Sequence, residues 1–68
     1  MTAYVKLKDI SSVREVPDIQ EIICNKTNGS TTITNFKEFR FYPEHYYVFV
    51  GKSILHVQGN RIEYVLFK

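Results

Sequence analysis

The chain has 68 residues, nine Lys or Arg against seven Asp or Glu, ten aromatics (five Tyr, five Phe) and one cysteine, Cys24. A chain this short buries only about 60% of the surface its unfolded form exposes, and a lone cysteine excludes the intrachain disulfide that often offsets a small core. The net charge of +2 is too mild for a duplex-DNA binder, and MTAYVKLKDI at the start has no apolar run of signal-peptide or membrane-spanning length.

The expectation is one all-β domain, residues 1–68, cytoplasmic and without a cofactor. In chain order, AYVKLKDI alternates, with Ala3, Val5 and Leu7 on one face and Tyr4, Lys6 and Lys8 on the other. The lysines read as a solvated strand face. SVREV reads as a short second strand stopped by Pro17. DIQEIIC, residues 18–24, fits a strand or a capped helical turn, and its isoleucines favour the strand. Asn28-Gly29 is a strong hairpin signal. The sequons at Asn25 and Asn28 are turn chemistry in a chain read as cytoplasmic. Residues 35–39 are open between strand and helix, since Phe36 and Phe39 stand three apart.

The C-terminal half, from FYPEHYYVFVG onward, allows a register to be derived. Two-residue turns at Gly51-Lys52 and Gly59-Asn60 would set Val48 opposite Leu55 and Leu55 opposite Tyr64. Directly opposed residues share a face. One face then collects Tyr46, Val48, Val50, Leu55, Val57, Ile62, Tyr64 and Leu66, and is core. The other carries Arg40, Tyr42, Tyr47, Phe49, Arg61 and Phe67, with His56 opposite Glu63. That second face is too aromatic for a plain solvent face. Three explanations compete: the N-terminal half covers it, a protein partner does, or single-stranded nucleic acid stacks on it.

Arg40, Tyr42, Tyr47, Phe49, Arg61 and Phe67 are therefore the expected partner-binding residues, of the types enriched in interface cores. The chain offers Cys24, His45 and His56 where a structural zinc site wants four ligands. Its carboxylates are scattered, and it has no phosphate-cradling glycine loop and no nucleophile elbow. No catalytic or metal residue is expected.

The ending YYVFVG…HVQGNRIEYVLF is similar to that of short β-rich proteins encoded by phages and prophages of Gram-positive bacteria. The resemblance implies a protein made in the cytoplasm of a bacterial host that binds a host protein, sometimes one of immunity. It carries over no functional residue. The resulting expectation is a small antiparallel barrel or SH3-like curled sheet of five to seven short strands. It would act by binding, as a phage-type inhibitor of a host defence protein. A single-stranded nucleic-acid module and a homodimer subunit are the alternatives.

Overall fold

A computed structural model describes residues 1–68. Seven strands follow one another: β1 (Ala3–Leu7), β2 (Val13–Val16), β3 (Glu21–Lys26), β4 (Gly29–Ile33), β5 (Tyr46–Val50), β6 (Ile54–Gln58) and β7 (Ile62–Phe67). They form a three-stranded sheet, β2-β1-β7, and a four-stranded sheet, β4-β3-β5-β6, antiparallel throughout. The all-β expectation holds as two curled sheets with open edges, not as a closed barrel.

Each sheet contributes its inner face to one core. Ala3, Val5, Leu7, Val16 and Ile62 come from the three-stranded sheet. Ile22, Cys24, Tyr47, Phe49 and Val57 come from the other, and Ile19 joins them from the link between β2 and β3. The alternation read in β1 puts Ala3, Val5 and Leu7 inside. The strand reading of residues 18–24 also holds from Glu21 onward, while residues 36–38 make a 3-10 turn. The hairpin after β3 turns on Thr27 and Asn28, one residue earlier than the Asn-Gly signal suggests. Gly29 itself takes the positive φ, +144°, that favours glycine.

The C-terminal register differs from the derived one at both glycines. β5 pairs with β6 as Tyr47 with Val57 and Phe49 with Leu55, so three residues, 51–53, make the turn. A one-residue slip moves a strand's whole side-chain set to the other face. Tyr47 and Phe49 therefore point inward, each fully buried, and Tyr46, Val48 and Val50 point out. The physical reason lies at Gly51. A Cβ there would stand 2.5 Å from the Pro17 carbonyl oxygen and 2.9 Å from that of Asp18. Around it, the Lys52 N–H donates to the Pro17 carbonyl (2.8 Å) and the Gln20 N–H to that of Val50 (2.7 Å). Gly51 is thus used for close approach to the β2–β3 link, not for the dihedrals of a two-residue hairpin.

Gly59 repeats the lesson. A Cβ there would collide with the Tyr42 carbonyl, and its N–H donates to the His45 carbonyl (2.8 Å). Residues 59–61 form a 3-10 turn that carries the chain across to the other sheet. β6 and β7 do not pair, and β7 lies against β1. His56 is therefore not opposite Glu63; it sits beside Tyr46, ring centroids 6.1 Å apart. Glu63 is the unpaired residue of a bulge, because Lys6 faces Tyr64 while Leu7 faces Ile62. The extra residue lets Ile62 and then Val65 and Phe67 all turn inward. Lys6 is not a free surface charge. Its ammonium donates to the Leu7 and Ile10 carbonyls (both 2.7 Å) and lies 3.5 Å from Glu63.

Gly51→Ala is expected to cost about 1–3 kcal/mol by overpacking. That is a large share of the roughly 3–10 kcal/mol available to a chain this size. Urea unfolding measures it, and a neutral result contradicts the docked loop.

Candidate protein-binding surface

The six residues expected at a partner surface do not share one. Tyr47 and Phe49 are interior, which removes them as contacts. Phe67 is half-buried and stacks on Phe36, centroids 5.1 Å apart. Arg40 and Tyr42 are exposed on the connection between β4 and β5. Arg61 is exposed too, but its guanidinium donates to both carboxylate oxygens of Asp9 (3.2 Å each). That hydrogen bond holds the Asp9 carboxyl below the usual carboxylate range.

What gathers instead is an aromatic cluster around the β4–β5 connection. The 3-10 turn Phe36–Glu38 bends this segment over the open side of the core. Phe39 then makes edge-on contacts to Tyr47 (5.6 Å), Phe49 (5.9 Å) and Phe67 (6.0 Å), touching both sheets. Edge-to-face pairs at these distances add about 0.5–1.5 kcal/mol each beyond area burial. Between this connection and β7 runs an apolar groove of about 370 Å³. Phe36, Phe39 and Phe41 form one wall and Val65, Leu66 and Phe67 the other; Met1 and Lys37 complete the lining. A second, more open depression lies between β4 and the connection; five of its eight lining residues are polar, and it includes Arg40 and Tyr42.

Deeper in, Cys24 Sγ lies 3.7 Å from His45 Nδ1, and the Tyr42 N–H donates to the Tyr47 hydroxyl (2.7 Å). Burial pushes the Tyr47 hydroxyl up to about 12, partly offset by the Tyr42 hydrogen bond. This group is a satisfied polar corner of the core, clamped by Gln58, whose amide donates to the Pro43 (3.3 Å) and His45 (3.1 Å) carbonyls. His56 points out from the other face of the sheet, and no three His, Cys, Asp or Glu side chains converge as metal ligands. The sequence carried a signal for the groove in the Phe36, Phe39, Phe41 spacing, which puts Phe39 and Phe41 on one side of an extended stretch and Arg40 on the other.

A folded-state hydroxyl raised from 10.0 to about 12 adds stability that is present below pH 10 and lost as pH rises through 12. Tyr47→Phe should delete the tyrosinate absorbance component near pH 12. It should also cost about 0.5–1.5 kcal/mol for the lost Tyr42 hydrogen bond. Survival of that component assigns it elsewhere. In parallel, Arg61→Ala should move the Asp9 carboxyl up in an NMR titration, and an unmoved Asp9 would contradict the Arg61 contact.

Compared with known proteins, the chain matches no family model, no curated protein and no solved structure.

Proposed function

We propose that the protein is a non-enzymatic binding module that engages another protein through the groove between the β4–β5 connection and β7. The observation that carries this reading is the lining: seven of eight residues are hydrophobic, in a domain whose core has no surplus to spare. Exposed apolar concavities on small domains mark interaction sites. Aromatic side chains are the type that anchors such interfaces. Lys37 at the rim favours a partner segment with a carboxylate beside its apolar anchor.

The resemblance to phage and prophage proteins fits this mode of action, an inhibitor that occupies a host protein's surface. Single-stranded nucleic acid receives less support. Lys6, Lys52 and Arg61 are each paired with an acid, and of the nine basic side chains Lys37 alone lines the groove. Two of the four aromatics expected on the partner-binding face, Tyr47 and Phe49, are interior and cannot stack on bases.

Selection of groove ligands from a library of extended peptides tests the reading. Selected peptides should be apolar with an acidic flank and should shift the resonances of Phe36, Phe41 and Leu66. Phe41→Ala should weaken them at least tenfold while the domain stays folded. Peptides that bind equally well to Phe41→Ala, or that shift only residues elsewhere, count against the groove.

A further inference from the structure

The groove's β7 wall is also a sheet edge. β7 ends the three-stranded sheet and pairs with no strand on the side away from β1; outside that ladder, Ile62 donates its N–H to the Gly59 carbonyl. Native edge strands are guarded by brevity, charge, proline or polarity. β2 is short, carries Arg14 and Glu15, and stops at Pro17. β4 is mostly Gly, Ser and Thr, and β6 turns His56 and Gln58 outward, with one exposed apolar residue, Ile54, at its start. β7 lacks these guards along Tyr64-Val65-Leu66-Phe67, and Tyr64 and Leu66 stand 39% and 46% exposed on its outer face. Its charges sit only at the ends, Glu63 on the bulge and Lys68 beyond the last strand residue.

We infer that β7 pairs antiparallel with β7 of a second copy, about a two-fold axis through Val65. The two three-stranded sheets then join into one of six strands. The inference rests on the groove being a protein-binding surface and names its occupant. Opposed residues of an antiparallel pair share a face. Centring on Val65 sets Tyr64 opposite Leu66 of the second copy, and Leu66 opposite its Tyr64. Four exposed apolar side chains thereby cover one another. The same register sets Glu63 opposite Phe67 of the second copy and next to its Lys68, and the symmetry makes this acid–base approach twice; within one copy Glu63 lies beside Lys6, and Lys68 over the Tyr4 ring. Val65 of the second copy comes over the mouth of the groove. A one-residue shift would set outward Tyr64 against inward Phe67 and lose both matches.

Sedimentation equilibrium of the full chain at micromolar concentration should give twice the 8.0 kDa of one copy. Leu66→Lys and Tyr64→Lys change exposed, outward side chains and should each give a folded monomer by circular dichroism. Glu63→Lys should weaken the dimer at least tenfold, and adding Lys68→Glu should restore it. A monomer at every concentration, or a dimer indifferent to both lysine substitutions, overturns the proposal. A monomer that still binds groove peptides in a Phe41-dependent way overturns the dimer alone and leaves the binding module standing.

Discussion

The docking of the Gly51 loop on the Pro17–Asp18 link fixes the phase of β5, and the rest of the core follows from that phase. Asp18 accepts a left-handed φ of 50°, a conformation Asp tolerates better than most residues. The link is thereby bent so that its carbonyls meet the loop. With residues 51–53 seated there, Tyr47 and Phe49 have to enter the core. They are the two largest of its fully buried side chains. Burial of the Phe49 side chain contributes about 1.5–3 kcal/mol. Had the loop been one residue shorter, the same strand would have buried Tyr46, Val48 and Val50, and Phe39 would have lost two of its aromatic neighbours.

The β4–β5 connection is the second consequence. Two sheets of three and four short strands leave an open side, and this connection closes it with Phe39 while Phe36 and Phe41 stay partly outside. The closure is therefore incomplete. The groove is the part of the core that the chain does not cover by itself, bounded by a strand edge that carries no guard. The proposed binding surface and the structural shortfall are the same feature, as expected where a small domain has few apolar residues to spend.

Much of the fold is legible in the sequence. Ala3, Val5 and Leu7 alternate against polar neighbours, Pro17 ends β2, and Ile22 with Cys24 faces inward by the period of a strand. The phase of β5 is not legible, because both of its faces are apolar and either could be core. Gly51 and Gly59 mislead for one physical reason. Glycine signals both a turn dihedral and a close backbone approach, and here both positions serve the second. The split between β6 and β7 and the bulge at Glu63 depend on that same distinction. Of the six residues expected at a partner surface, Phe67 lines the groove, Arg40 and Tyr42 lie beside a different depression, Arg61 is paired with Asp9, and Tyr47 and Phe49 are interior because the register is slipped by one. The groove needed the fold, since its walls lie more than twenty residues apart.

The register of β5 on β6 is open to direct measurement by nuclear Overhauser contacts in the labelled protein. The docked loop predicts contacts from the Tyr47 ring to Val57 and from the Phe49 ring to Leu55. Contacts from Tyr46 to Val57 and from Val48 to Leu55 would show the two-residue turn instead, and would contradict both the core and the groove described above.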